Sequence, residues 1–304
     1  MCKNMKVLIA GASGFIGKAL AARLLSSGHE VIRLVRDPTK RAADAVYWNP
    51  TTIDETALHR HAIDAVVNLA GASIVQGRWT RKRKEEILNS RVLATRVLTE
   101  QITNLQHPPH VFVNGSAIGY YGNHGETICT ETTPSGEGFL ADVCRQWEAA
   151  TEPAAKKGIR TVCLRTGIVL SPNGGALGKM LPPFKLGLGG RIGSGNQYMS
   201  WIALDELISI ILYILTHTDI KGPVNATAPY SVTNAEFTHT LAQTLHRPAF
   251  FTIPVALARF AFGKEKADEC LLSSTRVIPK KLIQHGYIFQ HPHLAEALKT
   301  MLKS

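Results

Sequence analysis

The 304-residue sequence predicts an α/β protein, a doubly wound parallel sheet that carries a smaller, discontinuous C-terminal lobe. Three observations predict it. Over residues 5–170, short β-rich runs alternate with helical patterns, the order that builds a parallel sheet with crossover helices. The β-rich runs are dominated by Val, Ile and Leu and do not alternate with polar residues, as expected for strands covered on both faces. After Leu170 the texture changes to a loop-dominated, Gly- and Pro-rich stretch over 171–200 with room for one short helix.

Taken in order, strands are expected at 6–10, 30–34, 64–69, 110–114 and 160–164. Helical patterns lie between them at 15–27, 81–103 and 139–157. Gly28 and Gly158 fall where helix C-caps belong. Beyond residue 200 come an apolar helix at 204–216, a short strand at 224–226 and a helix at about 234–245. The first domain is expected to cover 1–170. The lobe takes 171–304, with about 201–226 returning to the first domain.

Composition limits the function classes. With 45% hydrophobic and 19% charged residues the chain has ordinary globular composition. Residues 1–4 resemble a short tail that runs directly into a strand, so no secretory signal is expected. The most apolar run, 207–215, is too short to span a bilayer, and no membrane association is expected. The five cysteines, Cys2, Cys129, Cys144, Cys163 and Cys270, are odd in number, scattered and free of any C-x-x-C pair. They argue for reduced thiols in a cytoplasmic compartment and against a zinc site or a disulfide framework. The net charge of +11 raises a nucleic-acid partner. However, the densest basic run, Arg81-Lys82-Arg83-Lys84, is followed at once by Glu85 and Glu86, and no aromatic residues interleave it. It reads as a solvated helix start, and no nucleic acid is expected.

The chemistry begins at the first turn. The run Lys6–Ala10 delivers Gly11-Ala12-Ser13-Gly14-Phe15-Ile16-Gly17, and a helix follows. Gly11 permits the tight turn, Gly14 lets backbone N–H groups approach a pyrophosphate, and Gly17 allows close helix–strand packing. Phosphates then sit at a helix N-terminus, where unpaired amides and the macrodipole favour negative charge. This is the arrangement of a Rossmann-type dinucleotide site. The next run ends at Val35-Arg36-Asp37. A carboxylate there accepts from the ribose 2′-OH of NAD, whereas an arginine accommodates the 2′-phosphate of NADP. Arg36, with Ser13 and Arg33 as helpers, favours NADP(H). Asp37 is the counter-argument.

Several further stretches resemble a known family: Asn68-Leu69-Ala70-Gly71, Arg78-Trp79 through Ser90-Arg91, Gly119-Tyr120-Tyr121-Gly122, Trp147-Glu148, Gly187 through Gly195, and Trp201 to Asp205. They resemble the extended short-chain dehydrogenase/reductase superfamily, in its atypical "epimerase family" branch (NAD-dependent epimerase/dehydratase-like) with a small C-terminal domain of unknown role. The resemblance implies that Val35 and Arg36 border the adenosine 2′-phosphate. It implies that Leu69 and Ala70 line the adenine-ribose and pyrophosphate cleft, that Glu86 and Arg91 face the cofactor from one helix, and that Leu170 touches the nicotinamide end. Glu86 and Arg91 also fit an exposed helical pair. Family members often pair as homodimers through the helices at 81–103 and 139–157, a pairing the sequence itself does not show.

Superfamily chemistry uses a Tyr-x-x-x-Lys pair and a nearby Ser or Thr. Ser116 fills the Ser/Thr place, but Leu140 and Cys144 stand where the tyrosine and lysine belong. Tyr120 or Tyr121 could substitute as proton carrier, and either could equally be a cleft-filling ring. His124 is close in sequence and of a type suited to proton transfer, but a loop histidine is more often simply solvated. Arg165 and Asp205 are expected to hold elements together. The sequence therefore leads to an NADP(H)-dependent oxidoreductase or epimerase-like enzyme acting on a small polar substrate. Its rival is a catalytically silent NADP(H)-binding sensor or interaction protein.

Overall fold

The computed structural model describes residues 4–37, 39, 42–49 and 51–303; Cys2 lies outside the described residues. An eight-stranded sheet forms the frame. Its order runs Gly222–Ala226, Arg160–Thr166, Val111–Ala117, Ala65–Asn68, Lys6–Ala10, Glu30–Val35, Ala45–Asn49 and Thr52–Ile53. All neighbours are parallel except the last pair.

The strand side chains explain why those runs are continuously apolar. Val7 and Ile9 point into one core, with Leu20 and Leu24 of the helix Phe15–Ser26 and Leu207 and Ile211 of the helix Leu204–Thr216. Leu8 and Ala10 point into the other, with Ala94, Leu98 and Ile102 of the helix Arg81–Thr103. Each face therefore buries alternate residues against a different helix layer. Thr80 starts the long helix by accepting from the Arg83 N–H. Gly28 and Gly158 take φ of +84° and +85° just past their helix ends, the left-handed stop a glycine provides.

The expected helix at 139–157 divides into Phe139–Ala149 and Glu152–Lys156. Pro153 at the start of the second piece cannot donate an N–H, so the first helix ends before it. The strand Ala45–Asn49 was not expected. It is the outer parallel strand and buries only Val46 and Trp48 fully, which leaves a weaker apolar signature.

The remaining elements gather around Leu170, Leu177, Phe184, Trp201, Phe237, Leu241 and Leu298. A capping box between Thr233 and Glu236 starts the helix Asn234–Leu245 there. Among the described residues no helix is long and apolar enough to cross a membrane, and no group of three or more His, Cys, Asp or Glu could hold a metal.

Candidate dinucleotide cleft and its proton-carrying edge

The glycine turn sits at the C-terminal end of the central strand, the place where open α/β sheets bind ligands. Its three glycines meet different constraints. At Gly11, with φ of +83°, a Cβ would lie 2.9 Å from the Leu69 carbonyl carbon. At Gly17 it would lie 2.1 Å from the Gly11 oxygen, so the fold itself forbids a side chain there. Around Gly14 the protein leaves space, the one approach being to the Gly11 oxygen at 3.2 Å. Gly14 is also the N-cap of the following helix and offers no side-chain cap. The first-turn amides after it are left for an outside acceptor.

Around this turn, Ser13 is exposed and Ile16 packs on the core beneath. The Phe15 ring lies against Gly174 and Gly175, where a Cβ would come 2.8 and 3.2 Å from its carbons, so it joins the turn to the C-terminal lobe. Val35 is half-buried in register with Tyr47. Arg36 is exposed, and no hydrogen bond or ion pair among the described residues engages it. Asp37 accepts from the backbone and hydroxyl of Thr39 through Oδ1, so that oxygen serves its own loop. Arg33, the expected helper, pairs with Asp44 at 2.9 Å.

Leu69 and Ala70 close the floor of the turn, and Ala70 N–H donates to Asn68 Oδ1 at 3.2 Å. Beside them Gly71 is exposed and touches Arg91, whose Cζ would lie 2.9 Å from a Cβ at that position. Arg91 donates to the Ile87 carbonyl and stacks 5.1 Å from the Trp147 ring, with no carboxylate partner among the described residues. Burial lowers its pKa to about 10, so it stays cationic at neutral pH. Glu86 is on the rim, exposed and paired with Arg83 at 2.6 Å. Leu170 has no exposed atom and packs among Leu177 and Trp201. It backs the cleft from the core, and the direct nicotinamide contact expected of it would require its neighbours to shift.

The candidate proton-carrying edge differs from expectation in two residues. Ser116 is buried and donates its hydroxyl proton to Glu148 Oε1 at 2.6 Å, so that proton is not free for a substrate. Tyr121 is fully buried, donating to Asn225 Oδ1 at 2.6 Å and accepting from Arg165 at 3.0 Å. Burial pushes its phenol up to about 12, which leaves about one phenolate in 10⁵ at pH 7. Tyr121 is a core hydrogen-bonding group, not a proton carrier. Tyr120 differs: it is half-buried, its hydroxyl has no hydrogen-bond partner among the described residues, and the Arg165 guanidinium lies 3.4 Å from its ring centre. His124 donates from Nδ1 to the Tyr121 carbonyl at 2.7 Å.

Leu140 and Cys144 flank Gly119, as their place in the helix requires. Burial raises the Cys144 thiol from 9.0 to about 11. The unfolded thiol ionises near 9 and the folded one near 11, so its contribution to stability is whole below pH 9. It is lost as pH rises towards 11, by about 3 kcal/mol. Urea unfolding at pH 8 and pH 10.5 should therefore show a flatter pH response in Cys144→Ala than in the parent. Equal responses would mean that the thiol ionises normally.

The sequence reasoning gave no chemical part to Glu148 or Arg165. They form a two-pronged ion pair at 2.9 Å on each prong, with Arg165 3% exposed. Burial alone would lower the Arg165 pKa, but Glu148 more than offsets this and raises it. Beneath them Asn68, Asn114 and Thr95 share a buried hydrogen-bond chain of 2.7 to 3.4 Å, which Trp147 joins at 2.9 Å. The signal was an Asn at the end of each of two apolar strands, which the register sets side by side.

The C-terminal segment reaches back to both walls of this cleft. Lys266 donates to the Val75 and Gly77 carbonyls at 2.6 and 2.8 Å. One helical turn on, Glu269 accepts from the Phe139 and Leu140 amides at 2.9 and 2.8 Å and so caps the helix that carries Leu140 and Cys144.

A doubly wound sheet with an uncapped glycine turn at its switch point defines a dinucleotide-binding α/β protein. Residues 7–241 match the model of the NAD dependent epimerase/dehydratase family, and residues 253–301 match a domain of unknown function, DUF1731. The chain belongs to the NAD dependent epimerase/dehydratase family. It is similar to Epimerase family protein Mb2239 of Mycobacterium bovis, 42% identical over 97% of each chain. It is also similar to the human epimerase family protein SDR39U1, 37% identical over 98% of this chain and 100% of that one. A crystal structure of human SDR39U1 (isoform 2) with NADPH superposes with a TM-score of 0.90 at 36% identity, covering 99% of this chain and 100% of that one.

Proposed function

We propose that the chain is an NADP(H)-dependent oxidoreductase or epimerase-like enzyme acting on a small polar substrate. The observation that carries the reading is a pair of cations with no carboxylate partner among the described residues, in the expected places around the turn: Arg36 at the end of the second strand and Arg91 under Gly71. An adenosine 2′-phosphate and a pyrophosphate supply the missing negative charge, and the likeness to a human protein solved with NADPH supports the choice. When bound, the nicotinamide supplies hydride transfer. Gly11, Ser13 and Gly14 hold the phosphates while Gly17 keeps the helix close to the strand, Val35 and Arg36 border the 2′-phosphate, and Leu69, Ala70, Gly71, Glu86 and Arg91 form the cleft wall.

Of the residues proposed for proton movement, Tyr120 keeps the role. Arg165 sets a fixed positive charge against its ring, where a lysine would otherwise act. Ser116 and Glu148 hold that arginine in place rather than touching substrate. The rival, a silent NADP(H)-binding sensor, draws support from Tyr121, whose burial removes one of two available phenols.

Arg36→Asp should weaken NADPH binding by about 1.5–3 kcal/mol, the range for a lost charge-assisted hydrogen bond. NADH affinity should hold or improve. Calorimetry that finds NADH bound as tightly as NADPH by the parent chain would remove Arg36 from the site. Looking for copurified nucleotide and then screening hydride transfer over sugar nucleotides and small carbonyl compounds separates the enzyme from the sensor.

A further inference from the structure

A second concavity lies wholly in the C-terminal lobe. It encloses about 750 Å³ between the helix Asn234–Leu245, the following turn and the strand Phe251–Ile253, a size typical of small-molecule sites. No residue of the glycine turn, the Arg91 wall or the Ser116–Tyr120 edge lines it.

Its chemistry is one-sided. Arg191, Arg247, His239 and His246 line it, and no carboxylate does. Both guanidinium groups are fixed through Nε, Arg191 to Thr252 Oγ1 at 3.2 Å and Arg247 to the Lys185 carbonyl at 3.0 Å. Neither has an ion-pair partner among the described residues, and the two terminal nitrogens of each remain unpaired. An arginine held this way presents a pre-set fork, the geometry that suits an oxyanion. On the same rim Phe250 is 90% exposed and Phe251 55% exposed. Two phenyl rings left in water beside two unpaired forks are costly for a free surface and suited to a ligand with both a ring and a charge.

We propose that this groove binds a small aromatic anion, a planar ring that carries a phosphate, sulfonate or carboxylate. The forks hold the oxyanion, and the Phe250 and Phe251 rings cover the ring of the ligand. The site is separate from the dinucleotide cleft, so both can fill at once.

The test uses the full chain with phenyl phosphate as the probe, titrated by calorimetry with and without saturating NADPH. Inorganic phosphate and benzyl alcohol are the two half-probes. Phenyl phosphate should bind one to one, at least about tenfold more tightly than either half-probe. Arg191→Gln and Arg247→Gln should each weaken it by about tenfold or more, the loss of a charge-assisted contact. Phe250→Ala should weaken it several-fold, and NADPH should leave its affinity unchanged. Displacement of the probe by NADPH would place it in the cofactor cleft and overturn the proposal. So would full affinity in both arginine variants with unaltered melting, or a groove closed by self-association of the chain in light scattering.

Discussion

Arg165→Met should lower the unfolding free energy by about 3–5 kcal/mol, the range for breaking a buried ion pair from one side. The loss has identifiable parts. Glu148, 14% exposed, would lose both prongs of its partner and keep only the Ser116 hydroxyl. The Tyr121 hydroxyl would lose its donor while still bonded to Asn225. Tyr120 would lose the charge against its ring. The double variant Arg165→Met/Glu148→Gln should recover part of the loss, because no uncompensated carboxylate remains. Urea unfolding of the parent, Arg165→Met, Glu148→Gln and the double variant decides the matter. An Arg165→Met protein as stable as the parent, or a double variant that loses as much as the two single variants added together, would show that the pair contributes nothing net.

Gly14→Val should reduce NADPH affinity at least about a hundredfold while costing only about 1 kcal/mol of stability. The separation follows from what each glycine meets. A Cβ at Gly14 touches only the Gly11 oxygen, at 3.2 Å, and otherwise points into the space where a pyrophosphate belongs. Gly17→Ala is the contrasting control. Its Cβ would overlap the Gly11 oxygen at 2.1 Å, so folding should fail before binding can be measured. Fluorescence titration of NADPH, with circular dichroism as the folding check, distinguishes the two. Undiminished affinity in a folded Gly14→Val protein would take the turn out of the site.

How far the sequence could be read depended on the physics that encoded each part. The central strands were legible because a strand covered on both faces must be continuously apolar, and Val7 through Ala10 serve two cores at once. The helices Arg81–Thr103 and Asn234–Leu245 were legible because Thr80 and Thr233 cap their starts, and Leu204–Thr216 because of its dense apolar run behind Asp205 and Glu206. The outer strand Ala45–Asn49 was missed because its burial is partial. The Arg165–Glu148 pair was missed for another reason. Its partners are 17 residues apart in sequence and meet only because a helix folds back across the sheet edge. Tyr121 illustrates the same limit. Two adjacent tyrosines look interchangeable in a sequence, yet one enters a core with Cys129 and Val277 while its neighbour stays at the edge.

The clasp formed by Lys266 and Glu269 has a consequence for the order in which this protein is made. Lys266 holds carbonyls 191 and 189 residues earlier in the chain. During synthesis the glycine turn and most of the sheet leave the ribosome long before the residues that fasten the cleft walls. Closing so long a loop adds little equilibrium cost, since each doubling of length costs only about 0.6 kcal/mol. Pairings this distant do slow a fold. The strands are therefore expected to assemble before the cleft walls are fastened. Pulse-labelled hydrogen exchange during refolding should show amides of Lys6–Ala10 protected before those of Phe139 and Leu140, and simultaneous protection would contradict that sequence of events.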